Sequence, residues 1–585
     1  GLVRRDLLVL DVDPRSPERG QYGFVQSVIR EVAYGTLARR DRRARHLAAA
    51  RFYETLDDQE LAGILASHYV AAFEATAPGP EADAVAAQAR VTLRGAAERA
   101  MALHAYEGAA ALYRQALTVS EEGADRAALR EQIAEAVALG GNIEMAKREL
   151  GDAIAWYRSE DRRVDVVRTM ARLGAYELHE GSISEAIATL EAAAGELGEA
   201  YAEDEVFATL ASELARAYFR NVDAARSLQW AERALVVGER LALPKVIAET
   251  LNNKGGALLD AGRLQEGLTL LRGAIRHAEA HGEIEAELRA RNNLAFFDVE
   301  DPTGALEIGI VGLEKARRMG MRDWDRQLTQ MVARIRVLDM GDLDWVLAQA
   351  AVYEGTDVPA TYRGSNTGLL GIIAALRGRP ADATALLDES STTGREVTDP
   401  QIRYSHALDR AQVDAIWGLP GEANDRVLAT VPEMSGNWLL IASKRIGQSA
   451  LQLREPARLA AARSLLASQP HGPQHEALLS ALDGALAALG GDLVAARRAF
   501  AGAADTVRSL GLRMDLAWIL LGTVTQLGPD DPVGAAAAAE ARALFEAMGT
   551  PALATLLDGI MAREGAARPD PSARPNAVEA PAAQA

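Results

Sequence analysis

The chain has 585 residues, 82 acidic against 63 basic for a net charge of -19, and no cysteine. The missing thiols exclude disulfides, thiolate metal sites and cysteine nucleophiles, and acidity of this size disfavours a phosphate backbone as partner unless a basic face is segregated. The longest apolar runs, such as residues 368 to 376, fall far below the roughly 18 residues of a membrane helix, which predicts a cytoplasmic protein.

In chain order, "LVRRDLLVLDVD" (2 to 13) reads as the last turn of a helix running into a strand. "PRSPERGQ" (14 to 21) then reads as a loop, and "YGFVQ" as the returning strand of a hairpin. Asp11 and Asp13 leave the first strand, where paired carboxylates form turns more often than cation sites. Three amphipathic segments follow, at 27 to 41, 42 to 56 and 59 to 73. The dense basic run "ARRDRRARH" (38 to 46) would spread its arginines around a helix, which predicts a solvated or interdomain surface rather than a nucleic-acid contact.

From Val91 onward the pattern is helical almost throughout, and it repeats. Offsets of 12, 16 and 19 from Gly255 reach Gly267, Leu271 and Ala274. The same offsets reach Ala186, Leu190 and Ala193 from Gly174, Ala383, Leu387 and Ser390 from Gly371, and Ala496, Phe500 and Ala503 from Gly484. Small, large, small is what two antiparallel helices need where their backbones approach closely. The anchors Gly174, Ala215, Gly255, Ala295, Gly371, Gly447, Gly484 and Gly522 are spaced by about 40 residues, or by 76 where one unit is skipped. After Ala295 and Gly447 the offsets fail, giving Glu307, Val311 and Glu314, and Leu459 and Arg463, so register there is not defined by the sequence.

This pattern resembles the tetratricopeptide repeat with lengthened helices. The resemblance implies an all-α, right-handed superhelical solenoid over residues 91–562, about eleven or twelve helix pairs, with a groove lined by first helices and a terminal cap at 551 to 562. The Ala/Pro-rich residues 563–585 are expected to be a disordered tail.

Chemistry is sparse. None of the five lysines follows a glycine, so G-x-x-x-x-G-K-[ST] is absent, as is G-x-S-x-G. His277 and His281 sit one helical turn apart without a recognisable third ligand, and "HGPQH" (471 to 475) lies in a turn, so no metal site is expected. The tryptophans, among them Trp230, Trp324 and Trp518, have helical spacing and are read as core. The pairs Asn252 and Asn253, and Asn292 and Asn293, are displaced by 40 residues and so hold equivalent places on successive first helices. In tetratricopeptide proteins such positions face the groove. The four are candidate peptide-binding amides there, with bridging between helices the equal alternative.

The order of helix end, wing and helices at the front resembles the back half of a winged-helix domain. Residues 19 to 54, "RGQYGFVQSVIREVAYGTLARRDRRARHLAAARFYE", resemble the segment joining that domain to the repeats in STAND-type signal-transduction ATPases. The likeness is to bacterial proteins that begin with a class III adenylate or guanylate cyclase domain. It implies residues 1–56 as a winged-helix remnant, 57–90 as connecting helices, and an ATPase or cyclase module upstream that binds ATP. This chain would then be a non-catalytic sensor and protein-interaction region with no cofactor of its own. Its partner would be a protein or peptide, or the upstream ATPase domain; a free-standing repeat adaptor and a transcriptional regulator are the alternatives.

Overall fold

Helices start where the sequence supplies a start signal. Ten of the described helices begin on proline, among them Pro80–Ala102, Pro244–Asp260, Pro400–Ile416 and Pro551–Ala566, where the missing N–H is one the first turn leaves unpaired anyway. Others are capped by side chains: Asn142 Oδ1 accepts from the Met145 N–H at 3.1 Å and Asp492 Oδ1 from that of Ala495 at 3.0 Å. Left-handed glycines such as Gly282 (φ 73°) and Gly549 (φ 62°) end the helices before them.

This computed structural model describes residues 5, 7–10, 22–56, 61–121, 123–198, 203–298, 301–349, 360–395, 398–469 and 472–566. It divides into two units, Gly1–Thr169 and Met170–Ala585. Asp11, Asp13 and the whole hairpin loop 14–21 lie outside the described residues, as do 567–585 of the Ala/Pro-rich segment; the last helix runs to Ala566, four residues into that segment.

In the first unit, β1 (Leu8–Leu10) pairs antiparallel with β2 (Tyr22–Phe24), Val9 opposite Gly23. The helices Ser27–Gly35, Arg39–Leu56 and Ala62–Glu74 follow. The first predicted helix therefore breaks six residues earlier than the sequence pattern suggests, before Arg39. The Ser27–Gly35 helix has no buried residue, and Val9, Tyr22, Val28 and Val32 are each more than half exposed. Two basic-run arginines are engaged locally: Arg42 lies over the Tyr34 ring at 5.3 Å and Arg43 pairs with Glu81 at 2.6 Å. Deeper in the unit, Glu131 is buried and accepts from the Tyr157 hydroxyl (2.7 Å) and from Arg168 (3.0 Å).

Counted from Pro80–Ala102, the described helices fall into twelve antiparallel pairs, with Pro551–Ala566 left over as a cap. The fold is all-α and of the tetratricopeptide type, with the small two-stranded sheet at its front. The close-packing positions behave as the offsets require. A Cβ on Gly174 would lie 2.6 Å from Leu190 Cγ, one on Gly255 3.0 Å from Leu271 Cγ, one on Gly371 3.1 Å from Leu387 Cγ, and one on Gly484 3.2 Å from Phe500 Cδ2. Where the offsets fail, the neighbours differ. Gly447 faces Leu478 of the next first helix, while Ala295 is met by Gly309.

Within the second unit, first helices are enclosed on nearly every side. Pro244–Asp260 buries Asn252, Asn253, Thr250 and Asp260 along with its apolar residues. Part of that cover comes from far along the chain. The Thr398 N–H donates to Gly181 O (3.0 Å), Arg220 pairs with the fully buried Asp399 (Nε to Oδ2 3.0 Å), and the Phe296 and Trp438 rings are 5.4 Å apart. At Gly436 (φ 50°) a side chain would run into the Asp260 backbone. The inner face of the helices at 205 to 297 is thus covered by segments beginning near 398 and by the Gly436–Ala450 helix.

Candidate functional site

The site expected from sequence is the inner face of the first helices, and three of them define it. Glu213, Arg216 and Arg220 lie on Glu205–Arg220, and Glu249, Asn252, Asn253 and Asp260 on Pro244–Asp260. Arg289, Asn292, Asn293 and Phe296 lie on Ile284–Phe297. Spacings of three, four and seven residues put each set on one helix face.

The four asparagines form a ladder across these helices. Asn253 Nδ2 donates to the Ser212 carbonyl (3.1 Å), Asn293 Nδ2 to Asn252 Oδ1 (3.1 Å), and Asn292 Nδ2 to Asn293 Oδ1 (3.4 Å). Thr250 Oγ1 adds a bond to Ser212 Oγ at 2.9 Å. Asn252 and Asn253 are 1% exposed, whereas Asn292 and Asn293 are half-buried. The first pair therefore bridges helices, which was one of its two expected roles. Asn252 Nδ2 and Asn253 Oδ1 are enclosed without a partner of their own, so the ladder retains one donor and one acceptor.

Charge concentrates beside the ladder. Arg216 approaches Glu213 at 3.5 Å and Arg289 approaches Glu249 at 3.8 Å. Burial, and next the neighbouring Arg289, pull Arg216 down to about 10. Burial also lowers His179, where Asp323 raises it and Arg216, Arg220 and Arg289 lower it further. The face is thus a partly desolvated field in which each arginine has one close carboxylate, Arg216 with Glu213, Arg289 with Glu249 and Arg220 with Asp399. At its other end burial pushes the Asp260 carboxyl up to about 8; the Asn437 backbone N–H approaches, yet neither oxygen completes a hydrogen bond.

Sequence reasoning missed Arg216 and Arg289, although a signal was available. Stepping 40 residues from Glu249 gives Arg289, and stepping back 40 from Asn253 gives Glu213. The repeat that aligned the asparagines also aligns a charged column one turn away. Trp518 is core, but Trp230 is half-buried beneath the Arg233 guanidinium, 4.3 Å from its ring centre. The His277 and His281 rings lie 4.3 Å apart, His281 Nδ1 bonding to the His277 carbonyl (2.9 Å). His46 and His68 meet through their Nδ1 atoms at 2.9 Å. Among the described residues neither pair belongs to a group of three metal-ligating side chains, and no described helix is long and apolar enough to cross a membrane.

Helix pairs that present a polar, charged inner face define a repeat array of the tetratricopeptide type. No protein family matches the chain, and no curated protein matches it. Among solved structures, it is similar to a Rap protein complexed with competence and sporulation factor, at 14% identity and a TM-score of 0.32, over 70% of this chain and 99% of that one. It is also similar to a STAND protein with a tetratricopeptide repeat sensor from Pyrococcus horikoshii, at 14% identity and a TM-score of 0.32. That match covers 75% of this chain and 60% of the other. Superposition at this level leaves the fold to rest on the helix packing described above.

Proposed function

We propose that the chain is a non-catalytic interaction and sensor region of a signal-transduction protein, acting on an ATPase or nucleotide-cyclase module encoded upstream of it. The observation that carries this reading is the enclosed polar face in the second unit. At its Asp260 and Phe296 end the face is covered by the chain's own Gly436–Ala450 helix. A face that buries Asn252 Nδ2, Asn253 Oδ1 and both Asp260 oxygens without partners is incompletely satisfied in the closed arrangement. A protein or peptide segment that supplied those partners would favour an opened arrangement. Asn292 and Asn293, half-buried, are the amides such a segment meets first. Regulation is then a population shift, its size set by the difference in the partner's affinity for the two arrangements.

The front of the first unit supports the same reading. A hairpin followed by a helix with no buried residue, and with Val28 and Val32 in solvent, fits the back half of a winged-helix domain whose remaining helices come from preceding chain. ATP would belong to that upstream part, because the described residues carry no phosphate loop. The test is the genomic sequence ahead of the Gly1 codon. An in-frame extension encoding G-x-x-x-x-G-K-[ST] supports the reading, and an in-frame stop codon close upstream refutes it in favour of a free-standing adaptor.

A further inference from the structure

The cover over the inner face is not tight. Between Phe296, Ile372, Leu408 and Trp438 it leaves a cavity of about 130 Å³, close to the roughly 150 Å³ that accepts one benzene in a protein interior. Trp438, Ile441 and Arg445 project to it from one face of the Gly436–Ala450 helix, three and seven residues apart. The apolar part of the lining is therefore aromatic and branched, while the polar part is supplied by buried charge.

Most of that charge is spoken for. Arg334 is bidentate on Asp409, at 2.6 and 3.2 Å. Lys444 uses its three protons on Asp339 (2.8 Å), Asp515 (2.9 Å) and Gln474 (3.2 Å). Asp515 also accepts from Gln448 Nε2 at 2.8 Å. Arg445 differs from both. It is 9% exposed, its guanidinium donates to Gln448 Oε1 at 2.8 Å, and among the described residues it has no carboxylate within ion-pair distance. A guanidinium has five N–H donors, and a buried one whose nearest carboxylates, Asp339 and Asp515, act on it only from beyond ion-pair distance keeps most of its desolvation cost. Trp438, 7% exposed, adds an indole N–H with no acceptor. The cavity thus has two kinds of unspent donor and an aromatic wall, while the carboxylates in its lining, Asp298, Asp339 and Asp409, are already engaged by Arg272, Lys444 and Arg334.

We propose that this cavity binds a small carboxylate whose body is aromatic or branched. The carboxylate takes the free donors of Arg445 and the Trp438 indole, and the body packs on Phe296, Ile372 and Leu408. Such a carboxylate is either a free acid or the C-terminal residue of a peptide. This site is independent of the partner-binding reading above and stands if that reading fails.

The test is titration of the full chain by isothermal calorimetry with phenylacetate and with neutral phenylacetamide. For a ligand of this size the expected Kd for phenylacetate is about 1 mM or tighter, with the amide at least about ten-fold weaker. Arg445→Gln should weaken phenylacetate by about ten-fold or more, and Trp438→Phe, which keeps the ring and removes the donor, by about three- to ten-fold. Circular dichroism melts establish that each variant folds. Should Arg445→Gln not fold, the acid-against-amide comparison on the unaltered chain still decides. Equal affinity for acid and amide, or no binding of phenylacetate at about ten times its expected Kd, overturns the proposal. A tripeptide ending in phenylalanine, with free and with amidated terminus, separates the two sources: tighter binding than phenylacetate by the free terminus alone assigns a peptide, and weaker binding a free acid.

Discussion

The Ser27–Gly35 and Pro244–Asp260 helices are both amphipathic in sequence, yet the first buries nothing and the second buries polar and apolar residues alike. The difference lies in what packs against each. Pro244–Asp260 has its own repeat partner, the first helices on either side, and the Gly436–Ala450 helix across the inner face. Among the described residues Ser27–Gly35 has only the short hairpin and, through Tyr34 at its end, the Arg42 and His46 side chains of the next helix. An apolar stripe states that a helix wants a neighbour; only the rest of the chain states whether it has one. Substitutions should therefore be costly on one helix and its cover, and almost silent on the other.

The largest effect is expected at the cover. Arg220→Ala leaves Asp399 fully buried without its cation, which should cost about 3–5 kcal/mol, read as a lower urea midpoint. A loss below about 1 kcal/mol would mean that the pair is open in solution.

Next comes the pH dependence of Asp260. Burial pushes its carboxyl up to about 8 when folded, from the ordinary 3.8 of a free aspartate. Between those values the folded chain holds a proton that the unfolded chain has shed, so stability falls as pH rises through the window, by at most about 1.4 kcal/mol per unit. Above the folded value the dependence ends. Asp260→Asn should flatten the urea midpoint between pH 5 and 8, measured with about unit spacing; an unchanged slope would place the titration elsewhere.

Asn253→Ala removes the donor to the Ser212 carbonyl and should cost about 1 kcal/mol, partly offset by alanine's helix preference. At the quiet end, Val32→Ser on the exposed front helix should change stability by no more than about 0.5 kcal/mol. A larger loss there would show that the valine is covered in solution and would erase the contrast between the two helices.

How much of this was legible depended on the range of the contact. Gly255 meeting Leu271 follows from an offset within one repeat, and the asparagine ladder from the 40-residue step between repeats. Both are periodic, and a period can be read from one sequence. The hairpin was legible for a similar reason, from short apolar runs flanking a proline- and glycine-bearing loop. Arg220 with Asp399, Phe296 with Trp438, and Asp260 with Gly436 have no such signal. Each joins residues more than 140 positions apart, and no rule of spacing connects them. The failed offset at Gly447 was the indirect sign, since that position packs on Leu478 of the Pro473–Leu489 helix and not on its expected partner. The cavity beside Arg445 arises from the same long-range cover, which is why no motif announced it.

The covered inner face requires residues near 181 and near 398 to meet, and the absence of cysteine makes that directly measurable. Ser184 and Thr398 are both exposed and joined by a backbone N–H to Oγ1 bond of 3.3 Å. The double variant Ser184→Cys, Thr398→Cys, treated with a short bifunctional maleimide and mapped by mass spectrometry, should give an intrachain cross-link whose yield does not depend on protein concentration. Complete modification of both thiols without that link would contradict the covered inner face.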